Sequence, residues 1–408
     1  MKFSIRYLLI LFIVFSSCDN HQDDSYVLLI SFDGFRADYL DWFDTPNMDR
    51  FIKNGVRAKG MIPVFVSKTF PNHYSIATGM YAENHGLIGN HFYDAELDDN
   101  FTLSDRSKVQ DSKFYGGEPI WVTAEKQGLK TASYFWVGTE APIGGVYPSK
   151  WKKYEHNFPF EARIDSIVSW FSLPLKERPR FSLLYFHEPD WTGHETGPRS
   201  QETEAVVSHL DSLFGDLITK LEQLPISNNL NIIAVADHGM AEISSERTVD
   251  LSAYTDMSQI IQEGSGPYAF LYSKKKNIIE PAVDQLKNAE HISVYLKSDI
   301  PDRYHFKNHH RIKDALIVAD EGWYIQNQAI SSSLTAGKYV PTGGTHGYDN
   351  QLKSMHALFI AQGPAFKNDI VTEPFENVNI YPMIAHILGI DPSKKIDGNL
   401  NNIKHLLK

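Results

Sequence analysis

The stretch YVLLISFDG, residues 26–34, is the clearest indication of how this chain folds. Its first seven residues form a run of apolar side chains, which is typical of a strand buried on both faces of a parallel sheet. Asp33 and Gly34 end the run. The sequence therefore predicts a central strand with a carboxylate standing at its carboxyl end.

Helix-like and strand-like patterns alternate after this run. A helix is predicted from Thr45-Pro46 through Ile52, with Gly55 stopping it. Further helices are predicted over 119–126, 161–171 and 201–224, and strands over 131–137, 181–186 and 231–236. The alternation predicts an α/β sandwich in which helices flank a mostly parallel sheet. Right-handed crossovers would place a ligand crevice at the carboxyl ends of the strands.

The pattern changes after Met240. Short strand-like runs over 268–272, 292–296 and 315–319 are separated by polar loops. They predict a smaller antiparallel subdomain, inserted at about 245–342 into a main domain that spans 26–408. A last core strand is predicted over 355–361, and a closing helix over 379–388.

The first 25 residues resemble an export signal. Lys2 and Arg6 precede an apolar run over 8–15, which is shorter than the ~20 residues that span a bilayer, so 1–17 is predicted to be a signal peptide. Cys18, the only cysteine, follows two serines in a pattern that resembles the lipobox of bacterial lipoproteins. We therefore expect a lipidated Cys18, a polar tether over 18–25, and an exported periplasmic or cell-surface lipoprotein of a bacterium. A plain secretory signal is the alternative.

Composition narrows the class of partner. A content of 42% apolar and 12% aromatic residues can fill a large core, and a single cysteine excludes an internal disulfide. The net charge of -11 argues against a nucleic-acid polymer as the main partner, because such sites need a basic face. Small anions are not excluded, since bound metal cations would reverse the sign of the local charge. The oligomeric state is not predicted by these features.

A second stretch, SKTFPNHYSIATG at residues 67–79, places a hydroxyl near a helix start. Thr69 lies two residues before Pro71, and proline is favoured at the first position of a helix. Backbone N–H groups converge at a helix N-terminus, so a phosphate could dock there against the Thr69 hydroxyl. The simpler interpretation is that Thr69 only caps the helix.

Acidic and histidine residues recur at the ends of the predicted strands of the main sheet, where this fold class places ligands. They are Asp33, the pair Asp190 and His194, the pair Asp237 and His238, and His346 in a glycine-rich loop. Alone, each aspartate could cap a helix and each histidine could be an ordinary surface or core residue. Together, three aspartates and three histidines match the ligands of a paired transition-metal site, and two zinc ions are the best guess.

These motifs resemble those of a known family. SFDGFR, KTFPNHYSIATGMYAENHGLIGN, GGEPIW, EPDWTGHETGP, ADHGM and GTHGYDN are similar to motifs of the nucleotide pyrophosphatase/phosphodiesterase family of the alkaline phosphatase superfamily. The similarity runs in order from about Tyr26 to the C-terminus and is weakest over 244–342. It implies an alkaline-phosphatase-like sandwich and zinc-dependent hydrolysis of phosphodiester or pyrophosphate bonds in nucleotides or related small diesters, through a phosphothreonine intermediate.

The resemblance also implies roles for individual residues. One zinc ion would be held by Asp190, His194 and His346, and the other by Asp33, Asp237, His238 and the hydroxyl of Thr69. Asn90 would hydrogen-bond a phosphoryl oxygen, and Phe70 would form an aromatic wall for a nucleobase or other leaving group. Tyr154 would add a second wall or be an ordinary core tyrosine. His73 and His85 are assigned structural roles.

The chemistry of these groups agrees with such roles. A threonine hydroxyl is a poor nucleophile at neutral pH, and bound zinc would lower its pKa while a second zinc ion stabilises the leaving oxygen. A sulfatase is set aside because the C/S-x-P-x-R frame is absent. A phosphomonoesterase, suggested by Lys68, and a non-catalytic metal-binding lipoprotein remain as alternatives. The substrate itself is expected to be chosen by loops near 115–121, 136–154 and 305–310.

Overall fold

The structure, a computed structural model, describes residues 25–326 and 342–408. The predicted signal peptide, Cys18 and the tether up to residue 24 lie outside the described residues. Among the residues that are described, no helix is both long enough and apolar enough to cross a bilayer.

An eight-stranded sheet forms the centre of the described fold. In spatial order its strands are Ile370–Thr372, Val56–Ala58, Phe359–Gln362, Leu230–Val235, Tyr26–Phe32, Phe181–Phe186, Thr131–Tyr134 and Lys150–Lys152. Neighbouring strands pair in parallel except around Phe359–Gln362, which is antiparallel to both of its neighbours. The strand Tyr26–Phe32 is buried along its whole length, as its apolar run predicts.

Helices cover both faces of this sheet. The described α-helices are Tyr39–Trp42, Pro46–Lys53, Thr69–Thr78, Ala82–His85, Arg106–Val109, Ile120–Lys126, Phe160–Phe171, Asp190–Thr196, Gln201–Glu222, Ile279–Leu286 and Ile380–Leu388. Thr69–Thr78, Ile120–Lys126 and Ile380–Leu388 pack against one another, and Gln201–Glu222 packs against Pro46–Lys53 and Phe160–Phe171.

A smaller four-stranded antiparallel sheet is separate from the central one. Its strands, in order, are Ile261–Glu263, Tyr268–Tyr272, Ala315–Ala319 and Ile292–Leu296. Its side chains contribute to a second apolar cluster, which the helix Ile279–Leu286 joins. The other strands form pairs: Met61–Ile62 with Phe375–Glu376, His91–Asp94 with Asp99–Thr102, Ala241–Ile243 with Gly343–Thr345, and Thr248–Val249 with Tyr324–Ile325.

The predicted fold class is confirmed, and the differences lie at element ends. The strand predicted over 131–137 stops at Tyr134 because Phe135 has a φ of +74°, outside the extended region. The strand predicted over 355–361 begins at Phe359, after the 3-10 turn Lys353–Met355. The helix expected to begin at Pro71 begins at Thr69. Pro71 still falls in the first turn, where a missing N–H removes no intrahelical hydrogen bond.

Candidate metal centre and active site

Three neighbouring strands of the central sheet deliver the carboxylates. Leu230–Val235, Tyr26–Phe32 and Phe181–Phe186 lie side by side and run in parallel. Asp237, Asp33 and Asp190 follow their carboxyl ends in the same order. Because parallel strands end at one edge of the sheet, the three carboxylates meet there, as the sequence pattern predicts.

His346 reaches the same edge by a different route. It follows the strand Gly343–Thr345, which pairs antiparallel with Ala241–Ile243, the strand just after His238. The chain then enters the central sheet at Phe359, antiparallel to its neighbours. A residue ahead of an antiparallel strand lies at the edge where the parallel strands end. The antiparallel direction of this strand explains how His346, in a loop before a strand, joins aspartates that follow strands.

The six side chains form two adjacent groups. Asp33, Asp237 and His238 have ligand atoms within 4.8 Å of one another, and so do Asp190, His194 and His346. The rings of His238 and His346 stack with centroids 3.5 Å apart, which joins the two groups. The division is the one that the family resemblance implies.

Thr69 lies beside the first group. It is the first residue of the helix Thr69–Thr78, after Lys68 in an extended conformation, and its Oγ1 is 3.4 Å from Nε2 of His238. The Phe70 N–H at this helix start is bonded to Asn90 Oδ1 at 2.9 Å, and the Asn72 N–H donates to the Lys68 carbonyl. Pro71 has no N–H, so the positions of Phe70, Pro71 and Asn72 offer an anion no free backbone donor.

Each histidine of the two groups is oriented by its other ring nitrogen. Nδ1 of His194, His238 and His346 lies 2.8 Å from the carbonyl oxygens of Gly344, Gly239 and Ser67 respectively. A carbonyl can only accept, so each Nδ1 carries the proton and donates it. Each Nε2 faces a carboxylate oxygen of its own group, at 3.5 Å for His194, 2.9 Å for His238 and 3.6 Å for His346. A cation bound between nitrogen and carboxylate would be held as metal-ligating histidines typically hold one.

The carboxylates are short of partners. Asp33 Oδ1 and Asp190 Oδ1 are buried and make no hydrogen bond within the described part of the chain, and Asp237 Oδ2 faces only imidazole nitrogens, with His238 Nε2 at 2.9 Å. Burial raises the pKa of Asp33 well above its usual range, and the Asp237 and Asp190 carboxylates add to the shift. Buried oxygens without donors cost free energy unless a cation meets them. This crowding of negative charge fits a site built around metal ions.

Neighbouring groups hold the aspartates in place. The Tyr185 hydroxyl donates to Asp33 Oδ2 at 2.6 Å, and the Gly34 N–H donates to Asp237 Oδ1 at 3.1 Å. Gly34 has a φ of +68°, and a Cβ there would lie 2.8 Å from the Asp190 Cβ, so only glycine fits between the groups. His73 packs behind Asp237, with Nδ1 3.3 Å from Oδ2.

A cleft of about 370 Å³ opens above the two groups. Thr69, Phe70, Asn90 and Tyr154 all line it. Phe70 is 9% exposed and packs edge-on against Phe101. Because Asn90 uses its carbonyl oxygen to hold the Phe70 N–H, its amide NH2 group is the donor available to a ligand. Tyr154 is thus a cleft residue, although its ring also packs on Phe135.

Other cleft residues were not singled out from the sequence. Arg106 pairs with Glu140, and His156, His187 and Trp191 line the side next to Asp190.

Of the three loops expected to choose the substrate, only 136–154 contributes to the lining of the cleft; residues of 115–121 and 305–310 do not. His85, predicted to be structural, bonds Ser75 and lies outside both ligand groups.

Lys68 adds a cationic side chain beside the second group. Burial lowers the pKa of its ammonium to about 8, and the Asp190 carboxylate acts against that shift. Its Cε would lie 2.7 Å from a Cβ placed on Gly347, next to His346. The ammonium is therefore close to the glycine-rich loop that carries His346.

The donor set fits zinc. One group offers two carboxylates and an imidazole, with a hydroxyl beside them, and the other offers one carboxylate and two imidazoles. Oxygen and nitrogen donors of this kind, in small numbers and oriented by outer hydrogen bonds, are typical of catalytic zinc sites.

Comparison with known proteins identifies the family of this chain. The family model described as Type I phosphodiesterase / nucleotide pyrophosphatase matches residues 27–349. The venom phosphodiesterase of Naja atra is 40% identical over 96% of this chain and 48% of that protein. The Xenopus laevis protein named bis(5'-adenosyl)-triphosphatase enpp4 is 38% identical over 93% of this chain and 81% of that protein. The chain spans about half the length of most of the curated relatives it matches.

Solved structures agree. Murine ectonucleotide pyrophosphatase/phosphodiesterase 5 has a TM-score of 0.86 and 35% identity, covering 94% of this chain and 100% of that chain. A threonine-to-alanine variant of the same murine protein, described as inactive and in complex with AMP, has a TM-score of 0.87. The sequence, the fold and the paired groups of ligating side chains together show that this chain belongs to the type I phosphodiesterase/nucleotide pyrophosphatase family.

Proposed function

We propose that this chain is a zinc-dependent hydrolase of phosphodiester or pyrophosphate bonds in nucleotides or related small diesters. The observation that carries the proposal is the Thr69 hydroxyl, placed beside a buried ligand group that adjoins a second, partly exposed one in an aromatic-lined cleft. The names of the relatives support the reaction class, and the AMP bound to the murine protein supports a nucleotide substrate.

Thr69 is the proposed nucleophile. Its Oγ attacks the phosphorus, the bond from phosphorus to the leaving oxygen breaks, and the phosphoryl group remains on Thr69 as a phosphodiester. A water molecule then attacks that phosphorus and releases the threonine. Zinc ions held by the two groups would lower the pKa of the hydroxyl and stabilise negative charge on the leaving oxygen. The inactive murine variant, which lacks a threonine, supports a nucleophile of this type.

Asn90 is proposed to bind the phosphoryl group. Its Oδ1 is fixed by the Phe70 N–H, so the amide NH2 group is preorganised to donate to a non-bridging oxygen. The N–H groups of Phe70 and Asn72 in the adjacent helix turn already have partners. Asn90 is therefore the side-chain donor proposed for the developing charge.

The charge balance favours a diester. Two zinc ions would bring four positive charges, and the three aspartates with an ionised Thr69 would balance them. The arginines nearby are engaged, because Arg36 pairs with Asp38 at 2.7 Å and Arg106 pairs with Glu140. Phe70 offers an apolar face to a base or aryl group. A singly charged diester suits this cleft better than a dianionic monoester.

A phosphomonoesterase is the second candidate, favoured by the partly buried ammonium of Lys68. A metal-binding lipoprotein without turnover has less support, because it would need neither Thr69 nor Asn90. We also propose, on the sequence pattern alone, that the chain is exported in a bacterium and anchored to a membrane through a lipidated Cys18.

A hydrolysis panel with purified, zinc-loaded protein tests the proposal. It contains bis(p-nitrophenyl) phosphate, the p-nitrophenyl ester of TMP, p-nitrophenyl phosphate, ATP and glycerophosphocholine. We expect kcat/KM for the TMP ester to exceed that for p-nitrophenyl phosphate by at least about a hundredfold, or ~2.7 kcal/mol. Equal rates, or a preference for the monoester, would favour the phosphomonoesterase. No hydrolysis of any compound would favour the non-catalytic protein.

A further inference from the structure

Trp191 is an exposed aromatic residue of the cleft that has no role in the proposed reaction. It is 54% exposed, lines the cleft, and directly follows Asp190 on the short helix Asp190–Thr196. A single exposed apolar side chain is common on protein surfaces and by itself indicates nothing. Its position at the mouth of the cleft, one residue from a candidate zinc ligand, sets it apart from the other exposed aromatics.

One side of the Trp191 ring is supported by an aromatic layer. The His156 ring lies with its centroid 5.1 Å from that of Trp191, and His156 stacks on His187 at 3.9 Å. His187 in turn packs on Phe160 at 5.0 Å. A hydrogen bond of 2.9 Å between His156 Nδ1 and the Tyr154 hydroxyl fixes the layer from the side.

The layer is apolar in character as well as ordered. Burial lowers the pKa of His156, and the nearby Arg163 guanidinium lowers it further, so both disfavour a charged ring. Within the described residues, no ion pair involves His156, His187 or Trp191. A supported ring with its remaining surface open to solvent suits stacking by a planar group more than contact with a bare polyphosphate.

The position of Trp191 also defines which half of a substrate would reach it. Thr69 lies beside His238 of one ligand group, while Trp191 directly follows Asp190 of the other. In an in-line displacement the leaving oxygen departs on the side opposite the nucleophile. The base that stays with the phosphoryl group would lie near Phe70, and the leaving group would pass Trp191.

We propose that Trp191, backed by His156, forms a second stacking subsite for a nucleobase or other aromatic ring in the leaving group. The inference rests on the proposed function and extends it. The preferred substrates would carry a planar ring on both sides of the scissile bond, as dinucleoside polyphosphates do. Base–aromatic stacking of this kind is sequence-tolerant, so the subsite would accept different bases.

Equilibrium binding to the Thr69→Ala chain tests the subsite without turnover. Diadenosine triphosphate and ATP are the two probes, because they share the first adenosine and only the former has a second base. Adding Trp191→Ala should weaken diadenosine triphosphate about tenfold, equal to ~1.4 kcal/mol, and change ATP less than twofold. Trp191→Phe should restore most of the loss. Tyr254→Ala, which removes another half-exposed aromatic outside the cleft, is the matched control and should change neither affinity.

The outcomes separate the two claims. Equal weakening of both probes by Trp191→Ala, or weakening of neither, overturns the subsite while leaving the proposed function in place. If the Thr69→Ala chain, loaded with zinc, binds neither probe, the proposed function is wrong and the subsite falls with it. Loss of the second-base effect in Trp191→Ala, with rescue by phenylalanine, supports the subsite.

Discussion

Removing one hydroxyl, that of Tyr185, should weaken zinc binding without touching a ligand. Tyr185 is buried, and its hydroxyl donates to Asp33 Oδ2 at 2.6 Å. Asp33 Oδ1 has no hydrogen bond in the described structure, so this is the side-chain bond that orients the carboxylate. Tyr185→Phe keeps the ring and its packing against His73 while deleting the donor.

Two independent estimates agree on the size of the effect. A hydrogen bond to a charged group contributes ~1.5–3 kcal/mol, and loss of an outer partner of a metal ligand typically costs about 10–100-fold in metal affinity. The second range equals ~1.4–2.8 kcal/mol. We therefore expect one of two zinc ions per chain to become about 10–100-fold easier to remove.

Competition against a chelator of known zinc affinity measures this change. Tyr74→Phe is the matched control, because Tyr74 is also buried but donates to a neutral carbonyl, that of Gly116, at 2.9 Å. The control should lose some thermal stability and keep its zinc affinity. The reasoning is refuted if Tyr185→Phe binds both zinc ions as tightly as the parent chain, or if Tyr74→Phe loses zinc to the same extent.

Three further results are expected. Elemental analysis of protein purified without chelators should find close to two zinc ions per chain. Chelation should abolish hydrolysis and lower the melting temperature, because the metal binds the folded state. One calcium ion and no zinc would contradict this prediction. Thr69→Ala should lose turnover but keep the fold and much of the zinc, whereas Thr69→Ser should retain some activity; parental rates in the alanine variant would identify water as the direct nucleophile. Phe70→Ala should narrow the preference for the TMP ester over p-nitrophenyl phosphate, mainly by lowering kcat/KM for the diester, since stacking on an aromatic side chain contributes ~1–3 kcal/mol. An unchanged ratio of the two kcat/KM values would show that Phe70 does not contact the substrate.

The parallel core was predictable because burial leaves a direct record in the sequence. Strands covered on both faces are continuous apolar runs, and Tyr26–Phe32, Phe181–Phe186 and Leu230–Val235 were found within one residue of their ends. The residue after such a run lies at a known edge of the sheet. The sequence alone therefore predicts that Asp33 and Asp237 lie close together.

The direction of the last strand could not be read in the same way. The strand Phe359–Gln362 would show the same sequence pattern in either direction. Because it is antiparallel to its neighbours, the loop before it, which carries His346, lies at the edge where the parallel strands end. The glycine-rich loop marked His346 as a candidate, and the family resemblance placed it with Asp190 and His194. The pairing of Gly343–Thr345 with Ala241–Ile243 supplies the physical reason.

The cleft wall was the least predictable part. Tyr185 lies inside a strand whose sequence is typical of a buried core strand. Its hydroxyl nevertheless hydrogen-bonds Asp33, at the end of the neighbouring strand. Trp191 lies within the motif EPDWTGHETGP, between the candidate ligands Asp190 and His194. Nothing in the sequence indicates what its side chain contacts. His156 meets His187 only through tertiary packing. Contacts between distant loops leave no periodic pattern, so no local signal identifies them.

The stereochemical course at phosphorus tests the central claim, attack by Thr69, most directly. A phosphorothioate diester of defined configuration would be hydrolysed in ¹⁸O-labelled water and the configuration of the product determined. Two successive in-line displacements, one by Thr69 and one by water, invert the phosphorus twice, so the account predicts overall retention. Overall inversion would show that water attacks the diester directly and would contradict the role of Thr69 as the nucleophile.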